Sequence, residues 1–192
     1  MEALPAGPAP APRNQMTVAA TLASMAITML IGGMLAIWAV KRSAAIEAGQ
    51  NWLPDGITVP EVPTNVMLIA FPALCSFAQW AVWASKRDDH GNTVFALAST
   101  AFVALLIGNA QAFVWNQMGV GVADGEYGSM YYALTGTFFA LLVAGFIFTL
   151  IAMFRFAAGR TRNREILIAH AIFWYAMTVV FSAIWFLVYV TK

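Results

Sequence analysis

The sequence predicts an all-α fold: a polytopic membrane bundle of five transmembrane helices, N-terminus cytoplasmic and C-terminus outside. Three observations predict it. Of 192 residues, 61% are hydrophobic and only 10% are charged, whereas soluble domains need roughly 25% charged residues to cover their surface. Five stretches free of Asp, Glu, Lys and Arg follow one another, each near the ~20 residues that cross ~30 Å of hydrocarbon. The basic residues then fall unevenly on the two sides of those stretches.

Residues 1–15 hold Pro5, Pro8, Pro10 and Pro12 among Ala and Gly. They read as a disordered, Pro/Ala-rich cytoplasmic tail, because proline cannot continue a helix. The apolar run behind the tail is longer than the roughly 7–15 residues of a signal-peptide core, which disfavours a cleaved leader. A five-helix membrane domain is expected over 16–192, with spans at 16–40, 66–85, 93–118, 131–154 and 166–190. The runs are continuous rather than alternating, so each reads as a helix that satisfies its own backbone in lipid. Pro72 is expected to kink the second span, with Ser76 or a neighbouring helix meeting the carbonyl it leaves free. The long connection from Ser43 to Asn65 contains Trp52-Leu53-Pro54-Asp55-Gly56. Pro-Asp-Gly is turn chemistry, and Trp52 is expected to anchor at headgroup level.

Charge sets the orientation. One side carries Arg13, Lys86, Arg87, Arg155, Arg160, Arg162 and Arg164; the other carries only Lys41, Arg42 and Lys192, with Glu47, Asp55, Glu61, Asp124 and Glu126. The more basic side is cytoplasmic by the positive-inside rule. The formal net charge of +1 gives no reason to expect a nucleic-acid partner, and the lone Cys75 excludes an internal disulfide.

Groups for chemistry are scarce. His90 sits in a charged loop and His170 about one turn into the last span, so the two do not form a bis-histidine haem site. His170 with a methionine remains a formal haem ligand set; the blander reading is a hydrogen bond near the cytoplasmic interface. No C-x-x-C-H occurs, and the single Cys argues against zinc or iron–sulfur centres. No catalytic, cofactor-binding or metal-binding residue is therefore expected. The polar residues at depth are neutral: Ser24, Thr28, Ser76, Gln79, Asn109, Gln111, Thr135, Thr137, Thr178 and Ser182. They could line a substrate or water path, but hydrogen bonding between helices, about 0.6–2 kcal/mol per contact, accounts for them more simply. Gly32, Gly33, Gly136 and Gly145 are expected to let helices approach closely. The residues alone describe a scaffold.

Sparse motifs follow in order along the spans: Leu22-Ala23-Ser24; Trp52-Leu53-Pro54; Pro63-Thr64-Asn65-Val66-Met67-Leu68; Gly108-Asn109-Ala110-Gln111-Ala112-Phe113; Gly128-Ser129-Met130-Tyr131-Tyr132-Ala133-Leu134-Thr135-Gly136; and Phe173-Trp174-Tyr175 with a Trp185 to Tyr189 ending. This set resembles subunit III of haem–copper terminal oxidases (cytochrome c oxidase), in its short five-helix bacterial form. The resemblance points to Trp52, Pro54, Gly108, Tyr132, Thr135, Gly136 and Trp174 as packing, lipid or subunit-interface positions. The family's buried ionisable residues fall on Met25, Ala112, Phe138, Leu141, Tyr175 and Thr178, all neutral here. Their joint loss implies that a polar cluster was discarded as a unit, since a half-satisfied buried network is worse than an apolar core.

The resemblance implies a non-catalytic component of a respiratory oxidase, stabilising the catalytic subunit and holding phospholipid in a bacterial cell (inner) membrane. Haem and copper would belong to the catalytic partner and none to this chain, with other respiratory membrane subunits as further partners in aerobic electron transport. Alternative readings are an accessory subunit of a nitric oxide reductase or other respiratory assembly, a small transporter or channel, and a haem-binding subunit using His170.

Overall fold

The computed structural model describes residues 14–160 and 164–191. The tail expected over 1–15 lies outside the described residues as far as residue 13, as do Arg13, Arg162 and Lys192. Gln15 already opens the first helix. The described chain is helical: α1 (Gln15–Glu47), α2 (Glu61–Lys86), α3 (His90–Met118), α4 (Gly125–Ala157) and α5 (Glu165–Ile184), which runs on as a π-helical turn, Trp185–Val190. Among the described residues there is no strand, and all five helices are long and apolar enough to cross a membrane.

Each uncharged run lies inside one helix, and the helices extend beyond the runs. α1 continues seven residues past Val40 to Glu47, because Lys41 and Arg42 can keep a helical backbone while their charged ends reach polar surroundings. The α2–α3 turn is short. Asp89 caps α3, its carboxylate accepting the Asn92 backbone N–H at 3.0 Å. Gly119 ends α3 at φ +63°, the left-handed C-terminal cap that glycine adopts without strain. In the α1–α2 connection, Ile57 N–H donates to Pro54 O at 3.3 Å around Gly56 at φ +82°. That is the turn which Pro-Asp-Gly dictates.

Two local expectations need correction. α2 runs through Pro72 without a break, but Ser76 Oγ donates to the carbonyl of Pro72 itself at 2.9 Å. The carbonyl that Pro72 deprives of a partner is one turn earlier, at Leu68, so Ser76 does not meet it. Trp52 does not anchor at a surface either. It is 7% exposed and its ring packs at 5.1 Å on Trp38 and 5.7 Å on Tyr127. The half-buried loop around it folds back over the bundle, so the ring places its large aromatic surface against Trp38 and Tyr127 rather than in contact with lipid.

α5 is the central helix, packed against α1, α2 and α4, while α3 packs on α2 and α4. α1 and α2 are consecutive yet share almost no contact. α1 runs parallel to α5. At one end the Thr17 backbone N–H donates to Glu165 Oε1 at 2.9 Å, and at the other Arg42 donates to Thr191 O. The same two ends carry ion pairs, Arg164 with Asp88 and Lys41 with Glu126 (2.6 Å). Between them Phe71, Phe138 and Phe181 form a fully buried aromatic centre, ring centroids 4.9–6.1 Å apart.

Candidate functional site: polar contacts between the helices

Three polar regions lie between the helices, and each follows from where small or polar residues face a neighbour. The first joins α4 to α5. Gly145 is buried, and a Cβ there would meet the Phe173 ring and come within 3.0 Å of Trp174 Cη2. That missing side chain lets α5 seat against α4. One turn on, Thr149 Oγ1 reaches His170 Nε2 at 2.9 Å, and Trp174 Nε1 donates to His170 Nε2 at 3.0 Å. His170 is completely buried about one turn into α5, and Nδ1 has no partner and no contact with solvent. Neither ring nitrogen faces an opening, so His170 is not placed to ligate a haem iron without parting the helices.

The second region is the α2–α5 seam. Asn65 Oδ1 accepts from Trp185 Nε1 (2.9 Å), Cys75 Sγ lies 2.9 Å from Thr178 Oγ1, and Tyr175 OH donates to Gln79 Oε1 (2.8 Å). Each polar group on this seam meets its partner across the same two helices. The third is an aromatic cluster where α1, the α1–α2 connection, α4 and the end of α5 meet. Trp38, Trp52, Tyr127, Tyr131, Tyr132 and Tyr189 are linked by ring contacts of 5.1–6.4 Å. Gln111 and Tyr189 OH pair at 3.3 Å within it. Trp38 Nε1, Trp52 Nε1 and the Tyr127 and Tyr131 hydroxyls have no hydrogen-bond partner among the described residues and no contact with solvent. The cluster is held by aromatic packing.

The residues singled out in the sequence distribute as follows. Trp174 is in the α4–α5 junction. Thr135 is buried, donates to Tyr131 O at 2.7 Å and accepts from Trp115 Nε1 at 3.0 Å. Tyr132 OH donates to Val120 O at 2.9 Å, fastening the start of α4 to the connection before it. Pro54 is half-buried in its turn. Gly108 faces α4, where a Cβ would lie 3.4 Å from Leu142 Cδ2. Gly136 makes no close approach: a Cβ there would have nothing within 4 Å, and the same holds for Gly32 and Gly33. Close packing by glycine occurs at Gly145 instead.

The six neutralised positions fall into separate surroundings. Met25 is exposed on α1 and Ala112 on α3, Phe138 is in the aromatic centre, and Leu141 is half-buried. Only Tyr175 and Thr178 share a region, the α2–α5 seam. Sequence reading missed the Thr149–His170 and Gln111–Tyr189 pairs. Their signal was a polar side chain on each of two apolar spans at matching depth, which periodicity alone does not pair.

Comparison with known proteins gives one consistent family. The family profile described as cytochrome c oxidase subunit III matches residues 15–192. The chain is 29% identical over 146 residues to cytochrome c oxidase subunit 3 of Prototheca wickerhamii, covering 72% of this chain and 55% of that one. It is 28% identical over 164 residues to the Strongylocentrotus purpuratus protein of the same name, covering 79% and 61%. With the Marchantia polymorpha protein the figures are 26% over 162 residues, 79% and 60%. The chain thus spans little more than half the length of these curated relatives.

Proposed function

The chain belongs to the cytochrome c oxidase subunit III family, and on that premise we propose that it is a non-catalytic membrane subunit of a respiratory haem–copper oxidase. In this reading it packs against the catalytic subunit, stabilises it during turnover and holds phospholipid against the complex. The observation that carries the reading is the extent of the family match, which runs from the first residue of α1 through the whole five-helix bundle. The supporting chemistry is what the bundle does with its polar groups. His170 Nε2, Thr149 and Trp174 bond to one another inside the chain, as do the pairs of the α2–α5 seam. Such groups hold a shape and leave redox chemistry to a partner that carries the haems and copper. The excess of Arg and Lys around Lys86, Arg87, Arg155 and Arg164 supports an N-terminus in the cytoplasm and a C-terminus outside, in a bacterial cell membrane on this reading.

The test is to tag the chain after Lys192, solubilise native membranes in mild detergent and record the reduced-minus-oxidised spectrum of what copurifies. Haem bands that accompany the complex and vanish when the chain is purified alone are expected. A colourless small homo-oligomer would reject the oxidase reading, and flux through liposomes containing the chain would then support a transporter.

A further inference from the structure

The side-chain amides along the helices do not behave alike. Gln111 pairs with Tyr189, Gln79 with Tyr175, and Asn65 with Trp185. Asn109 is exposed and has no hydrogen-bond partner among the described residues. It stands nine residues before Met118, the end of α3, which is about 13 Å along the axis. If the ~43 Å helix is centred on ~30 Å of hydrocarbon, Asn109 lies about 7 Å inside the apolar layer. Acyl chains at that depth offer neither donor nor acceptor, so lipid leaves the amide unsatisfied.

The surroundings of Asn109 are those of a seat. α3 and α4 leave an open groove of about 270 Å³ between them, lined by Gly108, Asn109 and Ala112 on one side and Phe139, Val143 and Phe146 on the other. On the α3 side the residues beside the amide are a glycine and an alanine, which allow another backbone to come close enough for a hydrogen bond. We propose that this groove receives a transmembrane helix of a different chain, one that sets a hydroxyl, amide or imidazole side chain opposite Asn109. A second copy fits less well, because a two-fold contact needs a self-complementary surface and a concave groove is not complementary to itself. That the docking helix belongs to a respiratory complex rests on the oxidase reading; the docking itself does not.

The experiment places a photo-crosslinking benzoylphenylalanine at Leu105, a bulky exposed residue at the edge of the groove one turn before Asn109, and separately at Met29, exposed on α1. Native membranes are irradiated and crosslinked peptides identified by mass spectrometry. Position 105 is expected to join a spanning segment of another membrane protein that carries Ser, Thr, Asn, Gln or His within two turns of the joined residue. Asn109→Leu should lower that yield about three- to tenfold, the effect of one interhelical hydrogen bond, and Asn109→Gln should restore most of it. Because Asn109 is exposed, Leu there leaves the fold intact, which unchanged crosslinking from position 29 would verify. Crosslinks from position 105 to lipid alone, or to a second copy, would overturn the proposal, as would full yield in Asn109→Leu. If the joined partner belongs to a complex without haem, the groove stands and the oxidase reading falls. If a haem complex copurifies while position 105 meets only lipid, the groove falls and the oxidase reading stands.

Discussion

α4 shows two opposite uses of a glycine-bearing contact. Towards α5, Gly145 is closed over by Phe173 and Trp174, and the polar groups beside it, Thr149 and His170, are bonded to each other and sealed from solvent. Towards α3, the facing glycine is Gly108, the polar neighbour is Asn109, and the groove stays open with the amide unpaired. The difference lies in what fills the missing side chain. At Gly145 large aromatic rings of the same chain occupy the space, so the contact contributes to this chain's own stability. At Gly108 the space is met by Leu142 and Phe139 of α4, and the groove beside them stays open to something outside the chain. Small and polar residues in a span therefore do not by themselves distinguish internal packing from a docking surface.

Substitutions on the two faces should separate these uses. The largest effect is expected from Gly145→Leu. Its side chain cannot enter between Phe173 and Trp174 without moving α5, so unfolding of the purified chain in a denaturing-detergent titration should show a loss of about 3 kcal/mol or more. A loss below about 1 kcal/mol would mean that Phe173 simply swings outward and that the junction is not close-packed. Thr149→Val should follow at about 1–2 kcal/mol, since it keeps the volume but leaves His170 and Trp174 short of a buried partner. Adding His170→Phe should then lower stability by less than the sum of the two single changes, as expected of groups in one network.

On the open side, Gly136→Leu and Asn109→Leu should each change the stability of the isolated chain by no more than about 0.5 kcal/mol, because a Cβ at Gly136 meets open space and the exposed Asn109 has no hydrogen bond among the described residues to lose. A large loss in either would erase the contrast between the two faces. The smallest effect concerns pH at the start of α3. The Asn92 backbone N–H, and then the Asn92 side chain, hold the exposed Asp89 carboxyl below the usual carboxylate range. A lowered folded value means that the cap supports the helix at neutral pH and is lost as pH falls through that lowered value. The protection of amide hydrogens in the first turn of α3, taken relative to intrinsic exchange at each pH, should therefore fall on acidification more in the parent chain than in Asp89→Asn, which keeps the cap and cannot titrate.

The composition and the five uncharged runs determined the class of fold, because so few charges suit a chain in lipid and runs that are continuous rather than alternating satisfy their backbone there as helices. Each helix contains its uncharged run and extends past it, as at α1, where Lys41 and Arg42 continue the helix seven residues beyond Val40. The ordered motifs around Trp52, Gly128 to Gly136 and Trp174 sufficed to suggest the family. Only the tertiary structure decided that α5 is central, that α1 lies beside α5 rather than α2, and that Trp52 is buried instead of interfacial. It alone assigned close approach to Gly145 and not Gly136, and paired Gln111 with Tyr189 while leaving Asn109 open. The physical reason is that in a bilayer every face of a span is apolar. Hydrophobicity then records that a helix crosses, but not which face meets another helix. That choice is made by side-chain volumes and hydrogen bonds between residues far apart in the chain, and it exists only once the helices are packed.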